Sequence, residues 1–218
     1  MDLRSDKKEY GARLNLSHTS ANNLYTATVT IAPRFLKANN ASYNAFNQSL
    51  TLNPTLPVMD AKNPNLFNYI NTGFSGAYNP VEELRTVLDG TEGKYLDWNA
   101  AFKLNILENL STQVTLAQQS SDFFDFNFTP SYNTGAINGN SGRNSAGRNY
   151  KKSDQYVFEW TGNYKQSFGR HNINVLGGYA YNYFLYSGMN AGNQNFPSDV
   201  LTYNNLGSGQ YDVPIPTN

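Results

Sequence analysis

The sequence predicts an all-β fold, an antiparallel meander of about six long strands laid out as the wall of a transmembrane β-barrel. Three observations predict it. Six segments alternate apolar and polar residues with a period of two, the pattern of strands with two unlike faces. The connections between them alternate strictly between very short and very long. The composition is poor in charge (15%) and rich in aromatics (14%), with 17 glycines in 218 residues. That balance suits a β framework with long polar loops better than a helical enzyme.

The first strand, about 10–18, sets Tyr10, Ala12, Leu14 and Leu16 against Gly11, Arg13, Asn15 and Ser17. The second, about 24–32, sets Tyr25, Ala27, Val29 and Ile31 against a run of threonines. The third, about 95–107, carries Leu96, Trp98, Ala100, Phe102 and Leu104 on one face and Asn99, Lys103 and Asn105 on the other. The fourth, about 110–118, opposes Leu110, Val114 and Leu116 to Ser111, Gln113 and Thr115. The fifth, about 155–168, holds Tyr156, Phe158, Trp160 and Tyr164 on one face, with Glu159, Asn163 and Lys165 on the other. The sixth, about 172–186, repeats the aromatic face as Tyr179, Tyr181 and Tyr183, with Asn174 on its complement.

Strands one and two, three and four, and five and six are joined by hairpin-length turns. The stretches 33–94, 119–153 and 187–218 are long loops. Structureless connections beyond about 15 residues are rare in ordinary domains. Short turns at one end and long loops at the other characterise an outer-membrane barrel, as do strands of about 9–14 residues. On this reading the rings face lipid, while Arg13, Asn15, Lys103, Asn105, Glu159, Asn163, Lys165 and Asn174 face a watered lumen. Alternation alone serves a soluble β-sandwich equally well; the loop asymmetry favours the barrel.

Lys plus Arg equals Asp plus Glu at 16 each, so no net field argues for nucleic acid. Cysteine is absent, which removes disulfides and thiolate chemistry. The start, MDLRSDKKEY, lacks the apolar stretch of a signal peptide, and no run approaches the ~20 apolar residues of a membrane helix. Mean hydropathy is −0.58, a value that barrels share with soluble proteins.

No catalytic constellation is legible, so no enzyme activity is expected. His18 and His171 lie in different hairpins, without zinc-ligand spacing. No G-x-S-x-G elbow exists for a hydrolase such as a lipase-type barrel. Asp122 and Asp125 read as a solvated loop rim rather than a glycosidase pair. No metal and no cofactor is expected. The weak ligand-binding candidates are loop residues: Phe123 and Tyr132, whose rings can stack on sugars, and Arg143 and Arg148, in a Gly/Asn/Ser-rich stretch expected to be mobile. Pro80 to Leu88 is expected to make one or two helical turns, with Pro80 in the first.

NPTLPVMD (53–60), YNPVEEL (78–84), LDWNAAFKLNILENLS (96–111) and YVFEWTGNYKQSFGRHNINVLGGYAYN (156–182) resemble the mid-barrel of SusC/RagA-like TonB-dependent transporters. The resemblance runs from about residue 10 to 207. It implies a 22-stranded barrel of the Gram-negative outer membrane with a plug domain. Such a protein imports oligosaccharides or peptides under a SusD-like surface lipoprotein and is powered by TonB. Against that pattern the chain shows about six strands and no recognisable plug or TonB box, and it stops at Pro214-Ile215-Pro216-Thr217-Asn218 without a terminal aromatic strand. Six strands cannot close such a wall, so the expectation is a fragment of a larger gene product, an open curved sheet with two unpaired edges. The competing expectation is a soluble secreted β-sandwich that binds carbohydrate.

Overall fold

Seven strands make one antiparallel sheet in the computed structural model, which describes residues 5–68 and 79–210. The strands are β1 (Asp6–Gly11), β2 (Leu14–Thr19), β3 (Tyr25–Asn39), β4 (Leu88–Leu107), β5 (Leu110–Thr129), β6 (Ser145–Phe168) and β7 (His171–Gln194). Three short helices lie in the long connections: α1 (Tyr43–Thr51), α2 (Pro80–Thr86) and α3 (Thr134–Asn140). The sheet order is β1-β3-β4-β5-β6-β7, with β2 also paired to β3. It is an open meander, as expected. Among the described residues no second sheet packs on it, which removes the two-layer sandwich. Trp160 and Tyr179 remain 45% and 59% exposed rather than enclosed.

The expected first strand is two strands, β1 and β2, placed end to end along β3. Both run in one common register: Gly11 pairs with Arg34, and Leu14 with Ile31. The break falls opposite Pro33. Ala12 N donates to the Pro33 carbonyl at 3.1 Å, but proline has no N–H to return the bond. The substitution Pro33→Val is expected to close the ladder and stabilise this edge by about 1 kcal/mol. Residue 33 should then show a protected amide by hydrogen exchange, and an amide that exchanges freely would contradict the explanation.

The other strands run far past their expected ends. Residues 33–39 and 88–94 extend β3 and β4, 119–129 extends β5, 145–153 begins β6, and 187–194 completes β7. The loops shrink accordingly. Tyr78 of the YNPVEEL stretch and the terminal Pro214–Asn218 lie outside the described residues.

The turns explain the hairpins. Gly169 takes φ +59° ahead of Arg170, the arrangement of a II′ turn, which matches the twist of the flanking strands. Phe168 pairs directly with His171, so His171 begins a strand rather than sitting in the turn. Glu108 and Asn109 join β4 to β5, with the register slipping between Asn105 and Leu107. Asn23, at φ +55°, completes the β2–β3 turn. These three tight turns lie at one end of the sheet, and every long connection leaves from the other.

Candidate functional site

Directly opposed residues in a ladder share a face, so the register sorts side chains without ambiguity. One face carries an apolar belt from β2 to β7. One of its rows reads Leu16, Val29, Ala100, Leu116, Phe158 and Tyr181. The row beside it toward the turns adds Ala27, Phe102, Val114, Trp160 and Tyr179. Toward the loop end the same face becomes charged. Lys37 meets Glu92 at 3.1 Å and Lys152 meets Asp154 at 3.5 Å. The belt therefore has a defined upper edge.

The opposite face is polar over most of its height. Asn15, Lys103, Asn105, Glu159, Asn163, Lys165 and Asn174 all fall on it by register, as the alternation requires. Arg13, next to Leu14, belongs to the same face. Near the tight turns, Lys103, Asn105, Gln113, Asn163 and Lys165 line an open polar hollow of about 330 Å³. Higher up, the Arg34 guanidinium lies 4.0 Å from the Tyr95 ring centre and is held there by Glu9 at 3.2 Å. Tyr95 meets Phe123 edge-on at 5.2 Å.

At the loop end, buried asparagines tie the connections into an ordered cap. Asn79 caps α2 through its side chain, which accepts from Val81 N and Glu82 N and donates to the Val58 carbonyl at 2.7 Å. Pro80 follows at the first helical position, where its missing N–H costs nothing. Asn133 caps α3 in the same way and donates to Thr86 Oγ1 at 2.8 Å. The Glu82 carboxylate accepts from both the backbone N–H and the hydroxyl of Thr134. Ser42 Oγ donates to Glu83 at 3.1 Å, linking the α1 end to α2. Asn144 holds Phe196 and Asp199, and Asp199 also accepts from Ser131. Phe128, Ala146 and Phe196 form a small buried cluster with Leu88, Tyr203 and Leu206 against it.

Burial pushes the carboxyls of both Glu82 and Glu83 above the usual range, against hydrogen bonds that pull the other way. A raised folded-state pKa means that the folded cap holds protons the open cap releases. This part of the stability is therefore full at acid pH and lost as pH rises through the folded value. The cap should tighten on acidification from neutral pH, and Glu82→Gln, which keeps an acceptor for Thr134, should flatten that dependence. Hydrogen exchange of residues 130–144, corrected for intrinsic rates, reads this directly; a cap that loosens on acidification would refute it.

The four ligand-binding candidates from the sequence are not brought together. Phe123 and Arg148 lie in strands rather than loops, because β5 and β6 extend so far. They are also on opposite faces, since Phe123 pairs with Lys151 and Arg148 with Phe126. Arg148 lies between the rings of Phe124 and Tyr203, at 5.3 and 5.6 Å, and donates to Asn204. Tyr132 is exposed in the cap, and Arg143 follows α3. The stretch expected to be mobile contains α3 and the start of β6. Asp122 and Asp125 point to opposite faces: Asp122 accepts from Tyr150, while Asp125 accepts from Thr91 and Lys151. That geometry excludes a carboxylate pair at this position. His18 lies beside Tyr25, at 3.3 Å from its hydroxyl. Among the described residues, no group of three or more His, Cys, Asp or Glu is placed to hold a metal ion.

No protein-family profile matches the chain, and no curated protein matches it. Solved structures do. The RagAB peptide importer in its open-open state superposes with a TM-score of 0.76 at 14% identity, and in its closed-closed state with 0.71 at 14%. A further structure of the RagAB peptide transporter gives 0.72 at 13%. Each match covers 98% of this chain and 24% of the other, so the chain spans about a quarter of the length of the proteins it resembles. The resemblance to SusC/RagA-like transporters carried by the sequence motifs is thus borne out in three dimensions: in fold, the chain is an open arc of a RagA-type barrel wall.

Proposed function

We propose that the chain is part of a TonB-dependent outer-membrane transporter that imports oligosaccharides or peptides together with a SusD-like surface lipoprotein. The observation that carries this reading is the apolar belt, continuous from β2 to β7 on one face and backed by polar side chains on the other. A sheet so divided is stable where lipid wets one side and water the other. The belt faces the hydrocarbon, and the charged edge above it reaches the outer headgroup layer. The long connections then lie outside the cell. There α1 leaves Tyr43, Phe46 and Leu50 exposed on one uncharged side of a helix, a surface suited to a protein lid. Import is driven through TonB by the parts of the barrel and plug that complete the wall.

The test uses the full-length protein that contains this chain. It should fractionate with the outer membrane, migrate as a heat-modifiable barrel on gels, co-purify with a surface lipoprotein and support uptake that disappears when TonB is deleted. A protein recovered in soluble fractions without detergent would defeat the reading.

A further inference from the structure

Above the apolar belt the same face of the sheet changes character within two rows. In the first, Tyr10, Phe35 and Lys94 stand side by side on β1, β3 and β4. In the next, toward the loops, stand Lys8, Lys37 and Glu92. Higher still, over β4 to β6, the chain closes the face itself. The Tyr203 ring stacks on Phe126 at 4.1 Å, and Phe196 joins Phe128 and Ala146 in the buried cluster. The three lysines lie at the open side of this cover, directly above the belt, and all three are exposed.

We infer that Lys8, Lys37 and Lys94 bind the anionic phosphate of a lipid headgroup in the outer leaflet. The inference rests on the transporter reading, which makes this face the lipid side and the loop end the outside. Depth is the first argument. Lys37 stands eight residues along β3 from Val29, and Lys94 six along β4 from Ala100, both in the middle row of the belt. At about 3.3 Å per residue and a tilt of about 45°, these positions lie roughly 19 and 14 Å from mid-membrane, at or just past the ~12–15 Å half-thickness of the hydrocarbon. Charge is the second. Lys8 is paired directly across the strand with Lys37, a like-charged arrangement that repels until an anion lies between the two. Lys37 shares Glu92 at 3.1 Å, whereas Lys8 and Lys94 make no ion pair among the described residues. The nearest other carboxylates on this face are engaged: Asp6 accepts from Asn39, and Asp122, opposite Lys94, accepts from Tyr150. The three ammonium groups are rooted within two strand spacings, about 10 Å, and their flexible stems let them converge on one oxyanion. Farther along the same edge Lys152 is neutralised by Asp154 at 3.5 Å, so the surplus of positive charge belongs to β1, β3 and β4. The third argument separates a lipid from a free ion. Tyr10, Phe35 and, one row below, Leu96 are exposed beside and beneath the lysines. They offer acyl chains a wall that continues into the belt, and inorganic phosphate has no use for it.

The experiment titrates the purified full-length protein, in a neutral detergent, with phosphatidylglycerol or with diacylglycerol of the same chains, and counts retained lipid by native mass spectrometry. Phosphatidylglycerol should be retained about tenfold more tightly than diacylglycerol, and an excess of inorganic phosphate should not displace it. Joint replacement Lys37→Gln and Lys94→Gln should lower its retention about tenfold, and Lys37→Arg with Lys94→Arg should preserve it. Lys165→Gln, which removes one positive charge from the opposite face, should change nothing. Heat modifiability establishes that each variant is folded. Unchanged retention in the folded glutamine variant would overturn the site while leaving the transporter reading intact; this is also the result if another segment of the same polypeptide covers the lysines. Equal retention of the two lipids would overturn the role of phosphate, and displacement by inorganic phosphate would overturn the lipid as its source. A wild-type protein that is soluble without detergent and retains neither lipid would remove both readings.

Discussion

Leu116→Arg is expected to cost the full-length barrel about 2–4 kcal/mol in a bilayer, and Thr115→Arg almost nothing. The two positions are neighbours on β5, so local propensity and strand length are matched between them. They differ in face. Leu116 lies between Ala100 and Phe158 near the middle of the apolar belt and is 45% exposed, with no described residue to cover it. A guanidinium placed there has neither water nor a carboxylate within its row, and the hydrocarbon imposes the penalty. Thr115 lies between Ala101 and Glu159 on the polar face. There an arginine gains an opposite charge directly across the strand, worth a few tenths of a kcal/mol. Urea titration of folding into lipid vesicles reads both costs. A penalty of 2–4 kcal/mol corresponds to roughly 30- to 1,000-fold in the folding equilibrium. Equal costs at the two positions would mean that neither face meets lipid; a reversed order would exchange lumen and lipid sides.

The same division explains what the sequence could reveal and what it could not. The middle of each strand was legible because, on the proposed membrane reading, lipid contact forces every second residue to be apolar, from Leu96 to Leu104 or from Tyr156 to Tyr164. The strand ends were not. Along β3 the outward series continues as Phe35, Lys37 and Asn39, and along β4 it begins as Leu88, Gly90, Glu92 and Lys94. The hydrogen-bond ladder continues there without interruption, but above the belt nothing requires those positions to be apolar. Hydrophobic period reports the surroundings of a strand, and only indirectly its pairing. Gly90 shows a second reason. The Phe126 ring lies over it so closely that a Cβ would fall 2.4 Å from the ring carbon, a constraint belonging to the partner strand. On the polar face, Arg13 was visible as an expected lumen residue, whereas Asp97, Gln119, Gln155 and Phe184 align in one row only once the register is fixed. The cap was legible in one motif, since Asn79-Pro80 announces a helix start. The Glu82–Thr134 contact joins residues 52 apart, and no local pattern encodes it.

Asn79→Ala should open the cap while leaving the sheet intact, at a cost of about 2–4 kcal/mol. Alanine removes the acceptor that serves Val81 N and Glu82 N, a loss typically near 1 kcal/mol at an N-cap. It also removes the donor to the Val58 carbonyl, and an acceptor left unpaired in a buried place costs about 1–3 kcal/mol more. A helix as short as α2 has no stability of its own to absorb this. When α2 frays, Glu82 leaves Thr134 and the α3 cap loses its neighbour, so residues 80–86 and 130–137 should open together. Hydrogen exchange there should accelerate about 30- to 1,000-fold, with the amides of β4 and β5 between residues 96 and 118 unchanged. Asn79→Asp keeps the capping oxygen but not the amide donor, and should therefore fall between alanine and the native protein. If Asp behaved like Ala, the bond to Val58 rather than the cap would be what holds the loops; if Ala behaved like the native protein, the loops would owe their order to something other than these asparagines. On the proposed transporter reading either result bears on transport, because the segment joining β3 to β4 and the segment joining β5 to β6 would then stand at the mouth through which substrate passes to reach the lumen face.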